Sequence, residues 1–322
     1  MSGPHGVRWA LVGTNGYARR ACAPAFAEVG AAHLTAVASS DSSRARAFAD
    51  EIAVPVATAN LAELGESAEV DAVWIASPSY LHYEHGSAML AAGKHVLLEK
   101  PLALTSREAW EMVRIAEARG LVLATGYQAR YVPAHLRMKE LLAEGAIGEP
   151  VLARTFYGMH RTGPPRTWRQ RRESARWGTL ADIGTHHLDL LRMLLGDVEM
   201  ATGITTRLDG RETEDTAAAL LRFVSGAVGT LTASSVVGTP STVVEIQGTG
   251  GSLLATGTSP DGQGTATLLR AGAAPVDITG STPLSFVAQL AAVTSVIAGE
   301  PVAYATGADG ARNVEILEQI AS

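Results

Sequence analysis

Short apolar runs alternate with longer stretches of helical spacing over the first 125 residues. The runs fall at 7–12 (VRWALV), 34–38 (LTAVA), 71–76 (DAVWIA), 95–99 (HVLLE) and 121–125 (LVLAT), with helical candidates at 17–29, 42–53, 80–92 and 106–119 between them. Strands of four to six residues that are apolar throughout suit a parallel sheet buried on both faces, and strand–helix alternation builds βαβ units. The pattern predicts an N-terminal Rossmann-type α/β domain, a doubly wound parallel sheet over residues 1–127.

The rhythm then changes. A helix at 132–144, a turn at Gly145-Ala-Ile-Gly148, an extended stretch at 150–157 and a helix at 180–195 ending near Gly196 come first. Thr-, Val- and Gly-rich runs follow at 216–224, 226–236, 241–248, 251–257 and 265–271, broken by glycine as hairpins are. Helices at 283–299 and 308–321 close the chain. Residues 128–322 therefore read as an α+β domain with a large, mostly antiparallel open sheet, for substrate binding and oligomerisation. The Gly/Ser/Thr-dense stretch 256–267 reads as a flexible loop.

Composition narrows the function classes. A chain of 322 residues exceeds what one core usually serves, which fits two domains. A formal net charge of −6 argues against a nucleic-acid partner. No apolar run approaches the roughly 20 residues of a membrane span, and the first residues lack a signal-peptide core, so neither a membrane partner nor export is expected. Cys22 is the only cysteine, which fits a reducing cytoplasm and a packing role. The one basic concentration is Arg166, Arg169, Arg171, Arg172 and Arg176, either an anionic pocket or a solvated loop.

Candidate chemistry begins at G-T-N-G-Y-A, residues 13–18, between the first strand and the first helix. Gly13 suits the tight turn, and the helix start offers N–H groups and positive dipole to a pyrophosphate. Asn15 stands where a second glycine is usual, with Gly16 beside it; Asn tolerates left-handed backbone, and Ala18 keeps close helix–strand packing open. Candidate cofactor contacts are thus Gly13, Thr14, Asn15, Gly16, Tyr17 and Ala18. At the end of the second strand, Ser39 and Ser40 with Arg44 suit a 2′-phosphate, whereas Asp41 would suit a ribose hydroxyl. The balance favours NADP(H) and leaves NAD(H) open. A third feature is HVLLEKPLAL (95–104), where an apolar strand meets Glu99-Lys100-Pro101 at the sheet end at which such folds bind ligands.

Three segments, VDAVWIASPSYLHYEH (70–85), AGKHVLLEKPLALT (92–105) and GTLADIGTHHLD (178–189), together resemble the Gfo/Idh/MocA family of glucose–fructose oxidoreductase and inositol dehydrogenase relatives. The resemblance runs almost end to end. It implies an NAD(P)-dependent dehydrogenase or reductase acting on a secondary hydroxyl, or its ketone, of a sugar, sugar derivative or cyclitol. It carries the catalytic roles to Lys100, Asp182 and His186, and cofactor contacts to the glycine turn, Ser77, Pro78, Leu81, His82, Glu99 and Gln128. It also implies a homodimer or homotetramer paired through the C-terminal sheet.

The residue types agree with those roles. Asp182 and His186 are i and i+4 on the predicted helix and share a face. Imidazole titrates near neutrality, which suits taking the hydroxyl proton as hydride leaves. A lysine ammonium can stabilise the oxygen that gains alkoxide character. Asp182 serves as an orienting or binding group. Trp168, Arg169 and His187 are candidates for the substrate side, though a packing Trp and a solvated Arg fit the first two equally. His186, His187 and Asp189 do not share one helix face, so no metal site is expected; Asp189 is read as holding its helix or a neighbouring loop, and His85 as surface. Trp177 stands where the family usually has glycines before Gly178. Two other classes remain open: a non-catalytic dinucleotide sensor or regulator, and an NAD-dependent glycosidase of the same fold.

Overall fold

Six strands, β1 (Val7–Val12), β2 (Ala32–Ala38), β3 (Val56–Thr58), β4 (Ala72–Ile75), β5 (His95–Leu98) and β6 (Leu123–Thr125), pair in parallel in the order β3-β2-β1-β4-β5-β6. In this computed structural model the described residues are 6–161, 167–208, 211–258, 264–281 and 284–322. Arg166 and the 259–263 part of the Gly/Ser/Thr-rich stretch lie outside them. All four residues of β4 are buried, as an apolar run covered on both faces requires. The helices are α1 (Ala23–Glu28), α2 (Ser42–Glu51), α3 (Leu61–Glu66), α4 (His82–Ala91) and α5 (Ser106–Ala118). The strand order reverses between β1 and β4. The glycine turn after β1 and the loop after β4 therefore flank the switch point where such sheets take ligands.

The helix expected at 17–29 is broken. A five-residue π-turn, Ala18–Cys22, precedes α1, and Pro24 supplies the reason: it has no N–H for the α-helical bond to Arg20. Cys22 is buried there, and burial raises its thiol pKa well above the usual range, which suits packing and not attack.

The second sheet holds β7 (Pro150–His160), β8 (Val198–Thr206), β9 (Thr216–Phe223), β10 (Val228–Ser234), β11 (Val236–Gly248), β12 (Ser252–Thr256), β13 (Thr265–Leu269) and β14 (Val276–Asp277). Its order is β14-β13-β12-β11-β7-β10-β9-β8, antiparallel throughout except for the β7–β10 pair. The register sets Leu152, Val228 and Met200 on one face, with Leu220 and Ile204 beside them, and all five are exposed. Its helices are α6 (Pro133–Ala143), α7 (Arg172–Ala175) and α8 (Thr185–Leu195), and the chain ends with α9 (Ser285–Ile297) and α10 (Gly307–Ile320).

Where the sequence pattern cuts the chain once, after residue 127, the structure returns a late segment to the first unit. That unit is Met1–Gly126 with Phe286–Val314; the second is Tyr127–Ser285 with Glu315–Ser322. The reason is apolar packing. Leu290 and Val293 of α9 complete the cluster of Trp9, Phe26 and Trp74. Thr125 at the end of β6 also bonds to the returning chain, its N–H donating to Ala305 O at 2.8 Å and its hydroxyl to Thr306 O at 3.0 Å. No helix among the described residues is long and apolar enough to cross a membrane.

Candidate functional site

In the first unit the glycine turn is built as a cradle. Gly13 has φ of 115°, and a Cβ there would come within 2.8 Å of the Ala76 carbonyl oxygen, so only glycine lets β1 run this close to the end of β4. Asn15 holds the turn from both sides. Its Nδ2 donates to Ala76 O at 2.7 Å, and its Oδ1 accepts from the N–H groups of Tyr17 (2.9 Å) and Ala18 (3.0 Å). The residue that departs from the glycine pattern thus supplies a helix cap and a tether. Two of the first N–H groups expected to face a pyrophosphate are bound by Asn15 itself. Thr14 Oγ1 lies 3.3 Å from Ser39 Oγ, joining the turn to the end of β2.

Asp41 is spoken for: its Oδ1 accepts from Arg44 N at 2.8 Å and caps α2. Arg44 is exposed and donates to Ser40 Oγ at 2.9 Å. Two hydroxyls, an unburied guanidinium and a cradle that a side chain would fill make a donor set that fits a nicotinamide dinucleotide.

Glu99 is buried behind this turn. Its Oε1 accepts from Tyr17 Oη at 2.9 Å and Trp74 Nε1 at 3.2 Å, and Gly126 packs against the carboxyl group. Burial raises its pKa, opposed by the Lys100 charge and the two hydrogen bonds. Tyr17 and Glu99, both matched to cofactor contacts, are thus engaged with each other. Lys100 follows at the carboxyl end of β5, half-buried, and its peptide bond to Pro101 is cis. His82, also matched to the cofactor, is only 1% exposed, with ring nitrogens 2.7 Å from Pro101 O and 2.9 Å from Ser77 O. It is enclosed by backbone and presents almost no surface to a ligand. His85, expected at the surface, is half-buried and lies 3.1 Å from Ser77 Oγ through Nδ1. Pro78 and Leu81, on the same loop, are both half-buried.

The second unit carries Asp182 and His186. The helix expected over 180–195 opens instead as a π-turn, Leu180–Gly184, followed by α8. Asp182 lies in the wide turn and His186 in the first turn of α8, so the two stand across a junction of π and α geometry and not within one regular α-helix. Asp182 is ion-paired with Arg161 at the end of β7. Glu214 fixes where the turn starts: its Oε1 accepts from Gly178 N at 2.8 Å and Leu180 N at 2.9 Å, and its carbonyl accepts from Thr179 N at 2.9 Å. Burial raises the Glu214 pKa, and those N–H groups hold it back. A Cβ on Gly178 would overlap the Glu214 carbonyl oxygen, which explains the glycine.

Two links tie α8 to the turn at Gln128–Tyr131. Asp189, fully buried, receives Arg130 through two hydrogen bonds of 2.6 Å, and Tyr127 Oη lies 2.9 Å from Thr185 Oγ1. Asp189 thus holds its helix, as read from sequence. The Tyr127 ring stands edge-on to His186, centroids 6.1 Å apart. Gln128 is buried, and its Oε1 has no protein partner.

His187, read from sequence as a substrate-side candidate, is enclosed. It is buried against Tyr157, centroids 5.0 Å apart, beside a cavity of about 10 Å³ that His135, His186 and Thr258 also line. That space holds about one water, not a sugar. Burial, helped by nearby His135, depresses the His187 pKa to about 3; burial, opposed by the hydrogen bond to the Ala129 carbonyl, takes His135 to about 4. The arginine-rich stretch is divided among separate contacts. Arg169 stacks on Trp168 at 4.3 Å, while Arg176 stacks on the buried Trp177 at 4.5 Å and pairs with Glu318 at 2.8 Å. Among the described residues no three His, Cys, Asp or Glu side chains are grouped to hold a metal ion. Arg130, Arg161 and Glu214 were not singled out from sequence, since the partner of each lies more than 20 residues away.

Comparison with known proteins gives consistent results. A family model described as an oxidoreductase family with an NAD-binding Rossmann fold matches residues 7–127, and a GFO/IDH/MocA C-terminal domain model matches residues 135–254. The chain is 33% identical to the 1,5-anhydro-D-fructose reductase of Ensifer adhaerens over 94% of its own length and 92% of that protein. Among solved structures, it resembles an NAD binding oxidoreductase from Klebsiella pneumoniae, with TM-score 0.89 and 26% identity over 98% of this chain and 96% of that one. It also resembles the aldose-aldose oxidoreductase of Caulobacter crescentus complexed with glycerol, with TM-score 0.87 and 26% identity over 97% and 96%.

Proposed function

The chain belongs to the Gfo/Idh/MocA oxidoreductase family, and on that premise we propose that it is an NADP(H)-preferring enzyme reducing a ketone, or oxidising the matching secondary hydroxyl, of a sugar, sugar derivative or cyclitol. The observation that carries this reading is the likeness to 1,5-anhydro-D-fructose reductase over nearly the whole chain. The cofactor preference rests on Arg44 and Ser40 at the end of β2, with Asp41 already committed to capping α2.

When bound, the dinucleotide supplies hydride in reduction and takes it up in oxidation. Gly13 and Asn15 shape the turn that binds its phosphates. Lys100 acts as the polarising group, its ammonium favouring negative charge on the substrate oxygen. His186 gives a proton to that oxygen in reduction and takes one from it in oxidation. Asp182, balanced by Arg161, orients and binds rather than transferring a proton. Trp168 and Arg169 are assigned to the substrate side. We place the enzyme in the reducing cytoplasm, as a dimer or tetramer whose subunits cover the exposed apolar face of the second sheet.

The test is a titration of the purified protein with NADPH and NADH, followed by turnover on a panel including 1,5-anhydro-D-fructose, aldoses and cyclitols. NADPH binding and ketone-dependent oxidation are expected. Lys100→Ala and His186→Asn should each lose about 10²–10⁴-fold in kcat. A protein that binds neither nucleotide is not this enzyme.

A further inference from the structure

We propose that His82 is a positioning residue for Lys100, clamping together the loops that follow β4 and β5 without touching cofactor or substrate. The inference rests on the role assigned to Lys100 above and adds a residue that acts through it.

His82 opens α4 with both ring nitrogens at hydrogen-bond distance from backbone: Nδ1 is 2.7 Å from Pro101 O and Nε2 is 2.9 Å from Ser77 O. Each carbonyl belongs to a functional loop. Pro101 is the residue after Lys100, so a bond to its carbonyl fixes the backbone from which the ammonium extends. Ser77 follows Ala76, against which Gly13 and Asn15 of the cofactor turn are packed. His82 itself opens α4 directly after the Ser77 loop, so a ring bond to Pro101 O joins that loop to the segment carrying the ammonium.

A neutral imidazole carries one N–H, so only one of the two carbonyls receives a hydrogen bond. We assign that proton to Nδ1, so that Pro101 O, the carbonyl next to Lys100, receives the bond. Burial lowers the ring's pKa to about 4; the Pro101 and Ser77 carbonyls oppose this, and His85 and Lys100 add to it. A neutral strut places no second cation beside the lysine. Misplacing a catalytic group by about 1 Å costs on the order of 10²-fold in rate, so a clamp at this point governs kcat and leaves ligand contacts alone.

The two nitrogens can be tested separately, because an asparagine amide reaches the place of Nδ1 and a glutamine amide the place of Nε2. The full-length enzyme would be compared with His82→Leu, His82→Asn and His82→Gln by kcat, KM, NADPH Kd from fluorescence titration, and thermal midpoint. In nucleotide-free protein, the rate at which a lysine-directed acylating reagent labels Lys100 would be followed by peptide mass spectrometry. His82→Leu should lose about 10–100-fold in kcat with NADPH Kd within about twofold of wild type. His82→Asn should recover most of that loss, and His82→Gln should not. Lys100 labelling should change in His82→Leu and His82→Gln and return in His82→Asn. A loss concentrated in NADPH Kd would make His82 a cofactor contact after all. Equal behaviour of the Asn and Gln variants, in kcat and in labelling, would also overturn the proposal. If His82→Leu does not fold, the Asn–Gln contrast decides alone. Wild-type turnover in Lys100→Ala would remove the assigned role of the lysine, while the labelling comparison would still report whether His82 positions it.

Discussion

Arg130 and Asp189 meet through two hydrogen bonds of 2.6 Å, guanidinium to carboxylate, with Asp189 fully buried. The pair joins the turn that carries Gln128 to the helix that carries His186. Bidentate geometry of this kind is specific to arginine.

Removing the charge from one side leaves the other buried without its counter-ion. Asp189→Asn should lower unfolding stability by about 3–5 kcal/mol in urea titrations. Arg130→Lys should cost less, since it keeps the charge but loses the second bond. A change below about 1 kcal/mol for Asp189→Asn would mean that water screens the pair, as at a surface.

Glu99 sets a pH dependence of known sign. Its pKa is raised in the fold, chiefly by burial, from an ordinary value of 4.5. The stability it contributes is therefore fully present below about pH 4.5 and is lost as pH rises through the folded value. Glu99→Gln keeps an acceptor for Tyr17 and Trp74 and removes the titration. The thermal midpoint of the wild type, plotted as its difference from Glu99→Gln, should fall as pH rises through this window. A flat difference would show that ionising Glu99 costs the fold nothing.

Arg44→Ala should lower kcat/KM for NADP(H) by about 10–100-fold, equivalent to about 1.4–3 kcal/mol, and leave NAD(H) within about twofold. Asp41→Ala should instead cost about 1 kcal/mol of stability, as loss of a helix cap does, without favouring either cofactor. Should Asp41→Ala selectively damage NAD(H) use, Asp41 binds ribose as well as capping α2.

Gly178→Ala should give insoluble or grossly destabilised protein, because a methyl group there overlaps the Glu214 carbonyl. Glu214→Gln is milder, since its amide oxygen can still accept from Gly178 and Leu180. Recovery of normal soluble yield for Gly178→Ala would mean that the 213–215 backbone can move away.

Much of the first unit was legible because buried parallel strands are apolar throughout, and AVWI and HVLL cannot easily be read otherwise. The misses have physical causes. β3 is three residues long and mostly uncovered, and β8 (VEMATGITT) has few buried positions, so neither leaves an apolar run. The π-turn at Leu180–Gly184 is a change in hydrogen bonding that side-chain spacing does not encode. Lys100, Asp182 and His186 could be proposed from sequence because motifs surround them. Arg161, Arg130 and Glu214 matter through distant partners, and no local pattern marks such pairs. Asn15 looked like a defect in a glycine motif and proved to be a cap and tether.

The division of the chain also has a consequence for synthesis. The strands of the first unit emerge from the ribosome before the second unit, yet the Trp9, Phe26 and Trp74 cluster is closed by Leu290 and Val293, which emerge after residues 127–285. The first unit is begun before the second and completed only after residues 127–285 have been made. During translation its apolar cluster stays open on one side, which is where a nascent-chain chaperone would find its longest window. For the same reason, a fragment cut after residue 127 lacks a wall of its own core, whereas residues 6–126 rejoined to 286–314 by a linker would contain all of it.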